Sequence, residues 1–227
     1  MDIYLNDISN KSVGITMTKR PVIPTANQSY EETTVAGRNG SFYRENGYED
    51  VPMSVEFNFL NKDGIKQQLR KVKAWLMNKS TISFSDDPNF FRKIKTLEIS
   101  DTENDIVAYS KFSVSFVLDP FEYEITDIVN LTTTAVLNNT GTIESEPLIK
   151  IYGTGNINVM VNSEIFTVNS MTDYVTIDCE LQEAHRNGIS KNNMMVGEFP
   201  IFIPGVNNIS FNGAITKIEI EPRWRYL

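Results

Sequence analysis

The stretch Glu198-Phe199-Pro200-Ile201-Phe202-Ile203-Pro204-Gly205-Val206-Asn207-Asn208-Ile209-Ser210-Phe211 alternates short apolar runs with proline, glycine and asparagine. Runs of that length between turn formers read as strands of a two-sheet sandwich, an architecture that makes surfaces rather than enclosed chemistry. The same punctuation extends in both directions. Upstream lie Pro147-Leu148-Ile149-Lys150-Ile151-Tyr152, the turn Gly153-Thr154-Gly155-Asn156, and strand-like runs at 157–161, 165–168, 174–179 and 194–196; 209–211 and 215–220 follow. This series predicts a jelly roll or similar sandwich, with 199–203 as a strand and Gly153 to Asn156 as a hairpin turn. The Gly-Thr-Gly turn is not a phosphate loop, because neither a flanking helix nor a following Gly-Lys-Ser/Thr is present to hold an anion.

The first half reads differently. Residues 1–19 predict two short strands with Val13, Ile15 and Met17 on one face. After Pro21 and Pro24 the segment 25–50 turns polar. There Tyr30-Glu31-Glu32-Thr33-Thr34-Val35-Ala36 and Ser41-Phe42-Tyr43 flank Gly37-Arg38-Asn39-Gly40, residues that tolerate positive φ. The segment has too few large aliphatic residues for a core of its own, so it is either a projecting hairpin arm that orders on another chain or a plain mobile loop. Val51, Met53, Val55, Phe57 and Phe59 then alternate with Pro52, Ser54, Glu56 and Asn58, which defines a strand with one apolar face. Ile65, Leu69, Val72, Trp75 and Leu76 recur at helical spacing and predict a helix over about 63–78, capped by Asn61 or Asp63. Its Lys66, Arg70, Lys71 and Lys73 read as a solvated face, and Trp75 as core. Strands at 81–84 and 90–99, a turn at 101–105, and a long strand with Phe112, Val114, Phe116 and Leu118 on one face complete the first unit. The Thr- and Asn-rich segment 125–142 marks the boundary. The expected domains are therefore 1–130 and 131–227, with the last strand, 215–227, either in the second sandwich or returning to the first.

Composition narrows the function. Of 227 residues, 21 are basic and 29 acidic, a net charge of −8, which disfavours binding to nucleic acid or anionic lipid. The one cysteine, Cys179, allows no disulfide within the chain and reads as a small buried hydrophobe. Met1-Asp2-Ile3-Tyr4-Leu5 has no secretory pattern and no stretch has the length of a membrane span, so folding in a cytoplasm is expected. Enzyme templates fail in turn. His185 has no metal-ligand spacing around it, no Gly-x-Ser-x-Gly elbow occurs, and Asp86-Asp87 before Pro88-Asn89 is ordinary turn chemistry. No catalytic residue, cofactor or metal site is expected. A hydrolase site assembled from loops around Asp86 or Asp178 stays as an alternative, as does a carbohydrate-binding module using aromatics such as Tyr152, Tyr174 or Trp224.

The order of these features resembles a family. The Gly-Arg-x-Gly hairpin comes first, then the alternating strand and a helix ending Ala74-Trp75-Leu76. The Phe84-Ser85-Asp86-Asp87-Pro88 turn follows, with paired aromatics after it and a long strand closing on Asp119-Pro120-Phe121-Glu122-Tyr123. Pro147 to Gly153, Ile177-Asp178, Gly197-Glu198-Phe199-Pro200 and Pro204-Gly205-x-Asn207 continue the order to the C-terminus. Together they are similar to the distal tail protein family, often called Dit, of long non-contractile phage tails. The resemblance implies a mainly β fold with an N-terminal β-domain carrying one helix and a protruding hairpin arm, and a C-terminal galectin-like jelly roll. It implies a non-enzymatic homo-hexameric ring at the distal end of the tail, assembled in the bacterial host cytoplasm. The N-terminal domain would form the ring, with the arm across a neighbour. Expected partners are the tail tube protein, a tail-associated lysin or tip protein, and receptor-binding proteins. The chain has no room for an inserted carbohydrate-binding module, so direct sugar binding is not expected from the resemblance.

Overall fold

The computed structural model describes residues 1–60, 64–100, 103–106 and 109–227. The chain is mainly β and divides into two compact units, Met1–Glu122 with Leu227, and Tyr123–Tyr226.

In the first unit the alternation of Val51–Leu60 is realised in full, with Val51, Met53, Val55, Phe57 and Phe59 buried. This strand pairs antiparallel over its whole length with Tyr109–Leu118, setting Val51 opposite Leu118, Met53 opposite Phe116, Val55 opposite Val114 and Phe57 opposite Phe112. Phe57 and Phe112 stack at 5.6 Å and Trp75 meets Phe57 edge-on at 6.2 Å, geometries that add to simple area burial. The helix spans Ile65–Leu76 and buries Ile65, Gln68, Val72, Trp75 and Leu76. Asn61 and Asp63, the expected caps, lie outside the described residues, as do Asp101 and Thr102 of the next expected turn. Inside the core the helix satisfies its polar atoms on the N-terminal segment: Trp75 Nε1 donates to Ile8 O at 3.0 Å and Gln68 Nε2 to Val13 O. Asn78, at φ 54°, ends the helix in the left-handed conformation that asparagine tolerates.

The N-terminal segment departs from expectation. Residues 1–19 form three strand pieces, Ile3–Leu5, Ile8–Ser9 and Thr16–Met17, around a 3₁₀ turn at Asn10–Val13. Val13 therefore lies in the turn and not on a strand face. Asn10 fixes this path from inside, accepting from Ile3 N at 2.9 Å and donating to Ile15 O at 2.8 Å. The expected turn at 85–89 is also tighter, since strand Asp87–Ile99 begins at its second aspartate. That strand pairs with Thr81–Phe84 through its first half and with Tyr109–Leu118 through its second.

The second unit holds a nine-stranded antiparallel sheet. Its frame is two long strands, Leu148–Val161 and Gly205–Glu221. Gly153 to Asn156 is not a hairpin turn. The strand runs through it, and the apolar runs 209–211 and 215–220 likewise belong to one strand. Both strands bend at the same place, because Gly155, Asn156 and Ile157 stand opposite Gly213 alone, between the pairs Thr154–Ala214 and Asn158–Asn212. On one side of the bend Leu148–Tyr152 pairs with Tyr174–Asp178, and Val129–Leu131 pairs with Ile218–Ile220; on the other, 157–161 pairs with Glu164–Met171, and Ala135–Asn139 with Gly205–Ile209. Ile149, Ile151, Ile218 and Ile220 from the first side and Ile157, Val159, Phe166 and Ile209 from the second share one core, so the halves face each other as a sandwich. The Thr- and Asn-rich segment 125–142, expected as the boundary, contributes two of these strands. Residues 199–203 form only an isolated bridge, Phe202 to Ser145. Residues 215–221 lie in this sheet, and the next strand, Arg225–Tyr226, follows a bond from Glu124 N to Trp224 O.

The bend leaves no room for a side chain at Gly153 or Gly213. A Cβ at Gly153 would lie 2.4 Å from Ala214 O, and one at Gly213, whose φ is +120°, 2.7 Å from Asn156 O. Gly213→Ala is expected to destabilise the second unit by about 3 kcal/mol, read as a lower urea midpoint at unchanged slope, because strain adds to a backbone clash. Ser210→Ala, on an ordinary strand position nearby, is expected to change stability by less than about 1 kcal/mol.

Candidate interaction surfaces

The polar segment 25–50 forms a hairpin whose strands, Gln28–Thr33 and Phe42–Tyr48, pair only with each other among the described residues. Gly37 and Gly40, at φ +83° and +82°, supply its tip. Most of its residues are exposed, among them Tyr30, Val35, Phe42 and Tyr43, and Val22 and Ile23 just before it are more than four-fifths exposed. An isolated two-stranded hairpin is at best marginally stable in water. This one has local ties: Arg38 lies over the Phe42 ring at 3.6 Å, Ser41 donates to Glu32, and Tyr48 meets Phe121 edge-on at 5.6 Å at its base. The sequence left an arm or a loop open; the backbone forms a two-stranded hairpin.

A groove of about 690 Å³ opens beside the C-terminal turn of the helix. Leu76, Met77, Leu97 and Ile99 give it an apolar floor, and Lys73, Lys79 and Lys95 give it a basic rim. Lys95 is tied to Asp50, whereas Lys73 and Lys79 form no ion pair among the described residues. One wall of the groove is the far edge of 95–99, which carries no strand partner among the described residues because Thr81–Phe84 pairs only as far along as Lys93. Reading the sequence identified Lys73 as solvated and gave Lys79 and Lys95 no role. Only the fold brings the helix end beside the strand.

In the second unit the three aromatics expected as glycan platforms separate. Trp224 is buried and packs against Phe202 at 5.5 Å, so it serves the core. Tyr152 and Tyr174 are cross-strand partners with rings 5.7 Å apart on the sheet's outer face. Lys150 lies over both rings at 4.9 and 4.5 Å, Lys217 over Tyr152 at 4.5 Å, and Arg186 over Tyr174 at 5.1 Å. Tyr152 Oη donates to Glu219 at 2.8 Å and Tyr174 Oη to Asn187. Hydrogen bonds from Lys217 and Tyr152 hold the Glu219 carboxyl below the ordinary range.

The residues weighed for catalysis do not converge. Asp86 pairs with exposed Arg20 at 3.3 Å. Among the described residues no group of three or more His, Cys, Asp or Glu is arranged to hold a metal ion. Cys179 is buried, and burial first, then the neighbouring Asp178 charge, pushes its thiol well above the ordinary value, the reverse of an activated nucleophile. His185 sits in a strand opposite Thr176 with Nδ1 buried and unpartnered. Asp178 is spoken for: Arg223 Nη1 donates to it at 2.9 Å and Leu181 N at 3.3 Å, while Arg223 also reaches Glu180 at 3.2 Å and Glu221 at 3.5 Å. Burial alone would raise the Asp178 carboxyl, but the guanidinium and backbone N–H groups outweigh it and hold the group below its ordinary value. The arrangement joins strand ends and holds the Asp178 carboxyl in its ionised form.

Residues 9–118 match the family described as phage tail protein RIFT-related domain. Over its whole length the chain is similar to SPP1 Dit, whose crystal structure is described as a paradigm of hub adsorption apparatus in Gram-positive infecting phages. The TM-score is 0.68 at 13% identity, covering 100% of this chain and 99% of that chain. A weaker likeness, TM-score 0.47 at 8% identity over 91% of this chain and 89% of that chain, is to the phage P2 baseplate in its activated conformation with Ca. No curated protein matches the chain. The fold is thus Dit-like through both units.

Asp178→Asn is expected to lower the stability of the second unit by about 2 kcal/mol, because Arg223 loses its best-buried counter-charge. The sign with pH is fixed by the depressed carboxyl. The native pair's contribution is complete above the ordinary aspartate value of about 4 and is lost as pH falls through the lower folded-state value. Denaturant titrations of wild type and variant at successive pH values are expected to converge in the acid range.

Proposed function

We propose that this chain, with a phage tail RIFT-related domain in its first half and the Dit fold throughout, is the hub at the distal end of a phage tail. In this reading six copies close into a ring that joins the tail tube to the tail tip or baseplate, and the protein makes or breaks no covalent bond. The observation that carries it is the continuation of a phage-tail domain into a second sandwich with the Dit fold over the full chain. The arm supports self-association, since a hairpin with open edges and exposed apolar side chains gains stability when a neighbour covers it. A contact between different patches on successive copies produces a ring when the rotation closes. The first unit forms the ring, and the second presents its outer sheet face to peripheral tail proteins. The partners implied are the tail tube protein, a tail-associated lysin or tip protein, and receptor-binding proteins, all within the virion. The net charge of −8 suits a ring that lets DNA pass without retaining it.

A second reading, a carbohydrate-binding module, is favoured by one observation, the outward Tyr152–Tyr174 pair. The lysines over both rings and the hydrogen bonds of both hydroxyls argue against it, because a sugar would have to displace them.

Light scattering of the purified chain is expected to give six times the chain mass, and electron microscopy an annular particle with sixfold symmetry. A strictly monomeric protein that binds a glycan array, and loses that binding on Tyr152→Ala, would replace this reading with the second one.

A further inference from the structure

The groove beside the end of the helix is basic in a chain that is acidic. Lys73, Lys79 and Lys95 line it and no aspartate or glutamate does so among the described residues, although the whole chain carries 29 acidic residues against 21 basic. Lys95 is tied to Asp50, which leaves Lys73 and Lys79 without an ion pair among the described residues. Two further features coincide there. Leu76, Leu97, Ile99 and the exposed Met77 form an apolar floor, and 95–99 keeps one edge without a strand partner among the described residues. We infer that this groove receives an extended acidic segment of a different protein, added as a strand along the open edge of 95–99, with apolar side chains on the floor and carboxylates against Lys73 and Lys79. The inference rests on the hub reading for the source of the segment alone, which in that reading is another protein of the tail.

Three physical arguments select this occupant. An open strand edge presents backbone N–H and C=O groups in a fixed repeat, and an added polypeptide strand matches that repeat, which is the general basis of β-augmentation. Charge complementarity sets the sign of the partner. Two unpaired ammonium groups with no carboxylate beside them attract an anionic segment, and the net charge of −8 over the chain argues against a nucleic acid as that anion. Alternation then sets the pattern of the segment, since side chains at every second position face the floor and those between them stay at the rim. Glu98, between Leu97 and Ile99, falls by the same alternation on the opposite face of its own strand and brings no negative charge to the floor. The long apolar stems of Lys73 and Lys79 let their ammonium groups reach a carboxylate across the floor.

The test titrates the full-length chain with a capped synthetic heptapeptide that alternates leucine with glutamate, read by calorimetry and by amide hydrogen exchange. Binding is expected at low salt together with slowed exchange at 96–99, and Lys73→Glu with Lys79→Glu is expected to weaken it about tenfold. Lys66→Glu with Lys71→Glu makes the same change of net charge at exposed positions of the helix that do not line the groove, and is expected to leave the affinity within about twofold. Thermal melts matching wild type establish that both variants fold. A peptide with two consecutive prolines at its centre, which interrupt the ladder on both of its edges, is expected to bind about tenfold more weakly. Absence of peptide binding, an unchanged affinity in the Lys73 and Lys79 variant, an equal loss in the Lys66 and Lys71 variant, or undiminished binding of the proline peptide overturns the docking. So does tighter binding of a single-stranded oligothymidylate through the same two lysines. Peptide that binds only by breaking up oligomers of the chain overturns it as well, because the groove is then covered by another copy. Light scattering without peptide reports the ring separately: rings whose groove takes no peptide leave the hub reading standing, and a chain that stays monomeric yet binds the peptide upholds the docking without it.

Discussion

The first unit depends on one pairing, the ten-residue register between Val51–Leu60 and Tyr109–Leu118. It places four apolar pairs in line on one face, and that face has to be covered. The helix covers it, bringing Trp75 onto Phe57 and Gln68 onto the N-terminal turn. Full burial of each large side chain contributes roughly 2 kcal/mol, so the ladder and helix together supply most of the unit's drive to fold. A register slip by one residue would turn all of these side chains to solvent. The arm contributes nothing to this core and has too few large aliphatic residues for one of its own.

Legibility in the sequence followed the range of the signal. The strand Val51–Leu60 and the helix were readable because their periodicities are local and uninterrupted. The polar segment was readable as an element without a core of its own, because it has few large aliphatic residues, and its glycine-flanked tip suited a hairpin turn. Misreadings arose where one local pattern serves two geometries. Gly153 to Asn156 has the composition of a tight turn and of a wide bulge, and only the opposite strand, with Gly213 at the facing position, decides between them. The run 199–203 is apolar enough for a strand, yet only Phe202 finds a partner. Residues 129–131 and 135–139 look like linker and become strands because the long strand Gly205–Glu221 offers them an edge.

The interaction surfaces were less legible than the fold. Tyr152 and Tyr174 were flagged singly, and their meeting follows from a register that no spacing along the chain encodes. Trp224 carries the same aromatic signal and goes inward. The lysine-rimmed groove had no signal at all, because its walls come from a helix end and a strand some twenty residues apart. The acidic groups weighed for catalysis end in ion pairs with Arg20 and Arg223, and the thiol is held in its protonated form by burial.

The shared bend of Leu148–Val161 and Gly205–Glu221 has a mechanical consequence. Both layers of the second sandwich are laid down by the same two continuous lengths of polypeptide, so no seam exists at which one sheet can slide off the other. A tug on either layer travels into its counterpart along covalent backbone and loads the long interstrand ladder in shear, where many bonds resist at once. Such a body yields abruptly or not at all.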